Sequence, residues 1–456
     1  MMTPRKTAAL LLALDALCVL VCFNAAAWAR GIASPGHWIT WPLLGPLAFL
    51  ASGVYLIDGY RDRTDMLSLD FASQHLIAMV GATLATLLLT FAVIPANYPL
   101  QGSRAVTLLG FGACLPLTLA YRRSLYLRRI RHQERHHLLF IGDRVSSEAF
   151  HGECLRNGFN RPVLYADASG APATEGHADM ERRTFREVLA EIETSRLSVE
   201  AIVLRESGRE LPGDISQPLV ELYFKGVPTY TLELFHQVYW RKIPLYRLNQ
   251  TWLFQEGFKI AREPVFERLK RATDIACAVS GLVLAAPVLL AAALAVRLED
   301  GGPALFRQRR IGRNRHPFTV VKLRSMRAPG PAQTPAPGVD PARITRVGRF
   351  LRATRIDELP QLWNVLRGEM SLIGPRAEWE DLVRHYEQEI PCYHFRHLVR
   401  PGITGWAQVN YPYGATLENT LRKLEFDLYY IRHFSFLLDA SIVLKTIHTM
   451  LVGKGK

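Results

Sequence analysis

At 456 residues the chain exceeds what one ordinary core organises, so two or three domains are expected. Its 55 Lys and Arg against 41 Asp and Glu give a net charge of +14, which fits nucleic acid, an anionic membrane surface or a phosphorylated substrate equally well. Six scattered cysteines (Cys18, Cys22, Cys114, Cys154, Cys277 and Cys392) show no metal spacing and no disulfide framework.

Hydropathy separates the charge options. The first 121 residues hold four apolar stretches, at about 8–29, 41–57, 72–94 and 105–121, each approaching the roughly 20 residues that cross a bilayer. The second is the shortest and carries Pro42 and Pro46, which makes it the weakest crossing. A cleavable signal peptide is the poorer reading of the first stretch, because no convincing small-residue cleavage site precedes the three further apolar segments. Arg5 and Lys6 precede the first stretch, Arg61 and Arg63 separate the second from the third, and YRRSLYLRRIRHQERHH follows the fourth. The positive-inside rule therefore predicts a four-helix transmembrane bundle over 1–121 with both ends, and everything after residue 122, in the cytoplasm.

Residues 136–240 read as soluble α/β. HHLLFIGD, RPVLYAD and VEAIVLRE have the pattern of strands, and SSEAFHGECLRNG and RTFREVLAEIETS that of the helices between them. Such alternation predicts a parallel sheet of Rossmann type. The first turn, GDRVSS, keeps Gly142 but lacks the later glycines that let a diphosphate approach the backbone, and Asp167 falls about where a ribose-binding acid would. A structural, dimerising or regulatory role is the better expectation. Residues 241–264 read as a linker.

A fifth apolar segment spans 275–296. Its length suits a crossing, yet Lys259, Lys270 and Arg271 before it and Arg297, Arg307, Arg309 and Arg310 after it make both flanks cytoplasmic in character. Pro287 in its middle predicts a broken, re-entrant helix, since proline removes one helical hydrogen bond. Lys270, Arg271 and Asp274 stand at its mouth, where the cations would meet a lipid phosphate or anchor to headgroups.

Residues 301–356 contain thirteen Lys or Arg and one acid, Asp340, and the run ends directly in Asp357-Glu358. Cations of this density suit a polyanionic phosphate substrate, and the acids supply a nucleophile, a proton acceptor or ligands for a hard cation. Asp357 would equally serve as the N-cap of the helix that Pro360 and Gly368 delimit. Arg346, Arg349, Arg352 and Arg355 recur every third residue and form a helical stripe leading to the pair. Lys322 and Arg324 alternate as on one face of a strand. The stretch 328–341 has five prolines and reads as a mobile loop. Residues 400–410 read as a turn-rich active-site loop in which Trp406 packs as core or stacks on a base, and 417–452 places Leu417, Leu421, Leu424, Leu428 and Ile431 at helical spacing, fit for a membrane interface or for domain packing.

KRATDIACAVSGLVLAAPVLLAAA, GPALFRQRRIGRNRHPFTVVKLRSM, ITRVGRFLRATRIDELPQLWNVLRGEMSLIGPRAEW, RPGITGWAQVN and FDLYYIRHFSFLLDASIVLKTI resemble, in this order, the bacterial sugar transferases that move a hexose 1-phosphate from a UDP-sugar to polyprenyl phosphate. The resemblance covers about 265–456, and the preceding spans and degenerate Rossmann-like domain resemble the long form of that family. It implies a mainly α catalytic domain with a re-entrant membrane helix, at the cytoplasmic face of a bacterial inner membrane. It further implies that Asp357 attacks the UDP-sugar diphosphate, releases UMP and holds the sugar phosphate, with Glu358 as its partner and Mg2+ near the pair. Arg352 matches the family's arginine before the dyad, which implies a substrate-phosphate or dyad-orienting role, and Arg376 matches the family's Pro-Arg element, which resembles a phosphate-contacting site, although Ala377 stands where relatives usually have proline. Tyr411 stands where many relatives have glycine. The implied partners are a UDP-sugar, polyprenyl phosphate, the lipid bilayer and a second copy of the chain, with no nucleic acid.

The rival readings lack support in the residues. A processive glycosyltransferase would need Asp-x-Asp and Gln-x-x-Arg-Trp elements, and neither is present. A non-enzymatic membrane scaffold or sensor built on the Rossmann-like domain predicts that Asp357→Ala leaves function intact.

Overall fold

The computed structural model describes residues 4–34, 36–61, 64–93, 103–133, 136–159, 162–167, 182–194, 196–205, 213–245, 264–327, 341–412, 414 and 416–452. The proline-rich stretch up to residue 340 and most of the expected linker, 246–263, lie outside them. The chain forms two compact units, one of Met1–Leu47, Tyr60–Ala72 and Leu87–Arg241, the other of Ala48–Gly59, Ser73–Thr86 and Lys242–Lys456.

Four helices come first: α1 (Pro4–Ala29), α2 (Leu44–Leu56), α3 (Leu69–Leu88) and α4 (Arg104–Gln133). Lys6–Ala29, Leu69–Phe91 and Arg104–Arg129 are long and apolar enough to cross a membrane, with mean hydropathies of 2.3, 1.6 and 1.4. Together with a later helix of the same kind they fit a membrane protein. The second stretch, expected to be the weakest crossing, forms the short helix α2. Its 13 residues rise about 20 Å, short of a hydrocarbon core of about 30 Å. Pro42 starts a separate 3-10 turn, Trp41–Leu43, ahead of it. α4 instead overruns the expected boundary at 121, because the basic run behind it is rich in good helix formers.

Two features hold α1 to α4. Gly110 admits the Phe23 ring, 2.7 Å from where a Cβ would stand, and Phe23 meets Phe111 edge to face at 5.1 Å. Arg122 grips both oxygens of the fully buried Asp15, at 2.8 and 2.6 Å, and the hydroxyls of Tyr60 and Tyr121 donate to the same carboxylate. A buried charge pair supplied with this many hydrogen bonds is one of the few forms in which ions persist away from water.

The middle of the chain runs β1 (His136–Ile141), α5 (Arg144–Arg156), β2 (Val163–Asp167), β3 (Arg182–Thr184), α6 (Phe185–Glu193), β4 (Ser198–Leu204), α7 (Gly213–Phe224), β5 (Thr229–Thr231) and α8 (Leu232–Phe235). All five strands pair in parallel in the order β3-β2-β1-β4-β5, which is consistent with a Rossmann-like domain. At the first strand-to-helix turn, Asp143 caps α5 by accepting from Ser146 N at 2.8 Å and pairs with Arg205. The chain's own carboxylate thus takes the helix N-terminus that a diphosphate would need.

The second unit continues with α9 (Pro264–Asp300), the antiparallel hairpin β6 (Leu305–Ile311) and β7 (Pro317–Leu323), α10 (Arg346–Thr354), α11 (Gln361–Arg367), β8 (Ser371–Ile373), α12 (Glu380–Glu389), β9 (Gly402–Thr404), α13 (Trp406–Asn410), α14 (Leu417–Arg432) and α15 (Phe436–Val452). Its largest core gathers Trp406, Tyr393, Tyr430, Leu424, Leu428 and Ile431. Of the expected interfacial stripe, Leu424, Leu428 and Ile431 are therefore interior residues of α14. Trp406 is core and lies 6.1 Å from Tyr429 in a stacked arrangement. The start of the expected linker also belongs to this core: Ile243 is fully buried, its N–H donates to Glu425 O, and Lys242 lies 3.4 Å from the Glu425 carboxylate.

α9 carries Pro287 inside one helical element of 37 residues. One face packs on its own unit, Ala278 against Phe318, Leu362 and Val365, and Ala292 and Val296 against Leu323 and Leu351. The other face exposes Val283, Leu284, Leu290, Leu294 and Leu298. Both ends are tied to the same domain. Asp274 accepts from Ser371 Oγ and Leu372 N near the start, and Glu299 accepts from Arg346 N and Val347 N at the end.

Candidate active site

Thr345 caps α10 by accepting from Gly348 N at 2.9 Å, and Gly348 lets that helix press on the backbone of Ser325, where a Cβ would overlap the carbonyl. α10 ends at Arg355 in the left-handed region, φ 60°, a conformation that disfavours a side-chain-bearing residue by about 1–2 kcal/mol. The chain thereby reverses into a 3-10 turn, Ile356–Glu358, that carries both acids. Pro360, not Asp357, is the N-cap of α11, so the capping role open to Asp357 in the sequence is not the one it takes. Asn364, fully buried on α11, clamps the turn region to the hairpin: its Oδ1 accepts from Val321 N at 3.1 Å and its Nδ2 donates to Thr319 O at 2.7 Å.

That clamp brings Lys322 to the dyad. Lys322 Nζ donates to Glu358 Oε1 at 3.0 Å, and Arg376 and Arg355 stand 3.9 and 4.0 Å from the same oxygen. Burial works against ionisation of Glu358, but Lys322 first, then Arg376 and Arg355, outweigh it and hold the carboxyl down at about 2. Asp357 is in the opposite position. It is buried, its Oδ1 has no hydrogen-bond partner among the described residues, and burial and then the Glu358 charge raise its pKa against the pull of Lys322, Arg352 and Arg355. Adjacent carboxyls with environments that diverge in this way are what an acid with a chemical task and an acid with a positioning task require.

Arg376 is placed by an interlock of glycines. β8 and β9 pair in parallel, and Gly374, Gly402 and Gly405 approach so closely that a Cβ on any one would overlap backbone of this crossing. The stretch 400–410 is thus a packed strand and helix that support the Arg376 loop, where a turn-rich active-site loop was expected. Arg396 completes the support: it donates to Arg376 O at 2.9 Å and pairs with the buried Asp427 at 2.9 Å.

Of the sequence-predicted residues, Asp357, Glu358, Lys322 and Arg376 come together. Arg352 acts on Asp357 through its charge while its Nη1 lies 3.7 Å from Met326 Sδ. Arg324 does not join: β7 ends at Leu323, and Arg324 turns to Asp300 at the end of α9. Lys270 and Arg271 are engaged inside the domain, Lys270 with Asp439 at 2.6 Å and Arg271 with the carbonyls of Val365 and Leu366 at 2.5 and 2.7 Å. Sequence reasoning missed Asn364, Arg396 and Arg310, which is buried and donates to Ala377 O at 2.5 Å. A buried polar residue inside an apolar helical pattern was the one available signal, at Asn364.

A magnesium ion is tested by the donors present. Asp357 Oδ1 is a hard, unpartnered oxygen of the kind Mg2+ takes, and one or two carboxylates suffice for an ion that keeps several waters. Glu358 fits less well as a ligand, since Oε1 already faces three cations.

Residues 265–453 match the family model described as bacterial sugar transferase. Over 259 residues the chain is 39% identical to a UDP-N-acetylgalactosamine-undecaprenyl-phosphate N-acetylgalactosaminephosphotransferase of Aeromonas hydrophila, covering 56% of this chain and 60% of the relative. Over 191 residues it is 47% identical to a UDP-glucose:undecaprenyl-phosphate glucose-1-phosphate transferase of Escherichia coli (strain K12), covering 41% of each. An exopolysaccharide production protein of Rhizobium leguminosarum bv. phaseoli is 44% identical over 198 residues, which cover 41% of this chain and 98% of the relative. The matched part spans less than two thirds of the first two relatives, whereas almost the whole of the third is matched. With the dyad, its cations and their supporting loops inside the matched region, the chain belongs to the bacterial sugar transferase family.

Proposed function

We propose that the chain transfers a sugar 1-phosphate from a UDP-sugar to polyprenyl phosphate through a covalent intermediate on Asp357, starting polysaccharide assembly. The observation that carries this reading is the contrast within the dyad: Asp357 has a buried, unpartnered oxygen, while Glu358 beside it is fixed by Lys322, Arg376 and Arg355. The Asp357 carboxylate attacks the phosphorus that bears the sugar, the bond from that phosphorus to the UMP oxygen breaks, and an acyl phosphate forms. An oxygen of polyprenyl phosphate then attacks the same phosphorus and displaces the carboxylate, so two easier displacements replace one. Lys322, Arg355 and Arg376 hold Glu358 and lend positive potential to a substrate with several phosphate charges. Asp357 would hold a Mg2+ ion, whose chemistry would be to neutralise charge on the transferring group.

Membrane placement follows the same reading. The exposed apolar face of α9, with Phe350 and Trp363 exposed on the two helices that pack beside it, supports a segment that enters one leaflet while both its ends stay with the catalytic domain. α15 supports the cytoplasmic side: Ser441 donates to Leu56 O and His448 lies 3.0 Å from Ser73 Oγ, at the ends of α2 and α3 that flank the basic Arg61 connection.

Purified protein with undecaprenyl phosphate, Mg2+ and a panel of UDP-sugars that includes UDP-glucose and UDP-N-acetylgalactosamine tests the proposal through UMP release. One responding sugar supports it. No UMP from any member of the panel overturns it.

A further inference from the structure

Three thiols distant in sequence meet among the first helices. Cys18 and Cys22 lie four residues apart on α1 and share a helical face, Cys114 lies on α4, and the three Sγ atoms are all within 4.8 Å of one another. The Cys18 and Cys22 sulfurs are 3.9 Å apart, Cys22 and Cys114 are buried, and none of the three forms a disulfide. The packing of Phe23 into Gly110 and against Phe111 fixes the approach of the two helices beside this group.

We propose that Cys18, Cys22 and Cys114 form a soft-metal site whose ion is monovalent copper. A thiolate–metal bond is about 2.3 Å, so three sulfurs around one ion in a plane stand about 4 Å apart. The Cys18–Cys22 separation already has that value, and the other two lie within a small side-chain adjustment of it. Soft thiolate ligands suit Cu(I) and Zn2+ alike, so the number of ligands decides between them. Zn2+ calls for four ligands, and among the described residues this group offers three. Asp15, one turn before Cys18, is not available as a fourth, because Arg122, Tyr60 and Tyr121 occupy both its oxygens. On binding, S–Cu bonds replace S–H bonds, the displaced protons go to solvent and no oxidation state changes. The ion joins α1 to α4 and stabilises that pair by mass action.

The test uses the full chain in lipid nanodiscs under anaerobic conditions, with Cu(I) supplied against a chromophoric chelator. One Cu(I) retained per chain, with near-ultraviolet thiolate-to-copper absorption, is expected. Cys18→Ala, Cys22→Ala and Cys114→Ala each lower affinity at least about tenfold, whereas Cys154→Ala, Cys277→Ala and Cys392→Ala leave it unchanged. In unmutated protein, Cu(I) shields these three thiols from maleimide, read by peptide mass spectrometry, so the test does not rest on the folding of any variant. Retention equal to that of the triple alanine variant, or no shielding, overturns the site. Retention of Zn2+ in preference to Cu(I) on the same cysteines overturns the choice of ion.

Discussion

Lys322 Nζ meets Glu358 Oε1 at 3.0 Å, and this bond joins the β6–β7 hairpin to the turn that carries Asp357. Both side chains are largely shielded, at 17% and 13% exposure, so the pair is worth more than a surface ion pair. Lys322→Met removes the closest cation from Glu358 while Arg355 and Arg376 remain. Chemical denaturation is expected to show a loss of about 2 kcal/mol, the range for a hydrogen bond to a charged group. The sign of the pH effect follows from the depressed carboxyl. Stability from Glu358 is present above the ordinary glutamate range and lost as pH falls toward about 2, so the variant loses less of its remaining stability on acidification than the parent does.

On the proposed mechanism Asp357 is expected to set the acid limb of turnover. Its raised pKa places that limb above the usual carboxylate range, because the attacking form must be ionised. Glu358→Gln removes a charge that raises the Asp357 pKa, so its residual activity should show a limb at lower pH. Lys322→Met removes a charge that lowers it and moves the limb up. A pH–rate profile of UMP release checks both directions; limbs that move together contradict the assignment.

Gly405→Ala drives a Cβ into the backbone at Gly374. Overpacking of this kind usually destabilises by about 1–3 kcal/mol. Here the displaced loop carries Arg376, so UMP release is expected to fall about tenfold or more in protein that still folds. Thermal melting alongside initial rates separates the two effects.

Arg396→Met leaves Asp427 buried without its partner and frees the carbonyl of Arg376. Breaking a buried pair from one side disfavours folding by about 3–5 kcal/mol. Arg396→Met combined with Asp427→Leu should recover much of that stability, without recovering the lost rate. Equal recovery of both would mean that Arg396 serves the core alone.

The sequence displays the site where its chemistry is local. The dyad ends a basic run, and Lys322 and Arg376 sit in motifs with the right charge and turn residues. Arg324 misleads because strand alternation holds only to Leu323; beyond it the backbone N–H of Arg324 bonds Ala304 O and the side chain turns to Asp300. Lys270 and Arg271 flank an apolar segment and so resemble headgroup anchors, while their partners, Asp439 and the α11 carbonyls, lie far along the chain. Asp357 resembles a helix cap because the left-handed turn at Arg355, which sets the acids ahead of the helix, leaves no signature in an arginine. The Rossmann-like strands were legible from alternation, whereas the meeting of Cys114 with Cys18 and Cys22 depends on which helices pack together.

The central claim is that the sugar phosphate passes through Asp357. Protein incubated with a UDP-sugar labelled in the phosphate that bears the sugar, without polyprenyl phosphate, is expected to gain one labelled adduct on the peptide containing Asp357, released by hydroxylamine and absent from Asp357→Asn. UMP release and product formation by Asp357→Asn at the parental rate, or an adduct on another residue, would contradict it.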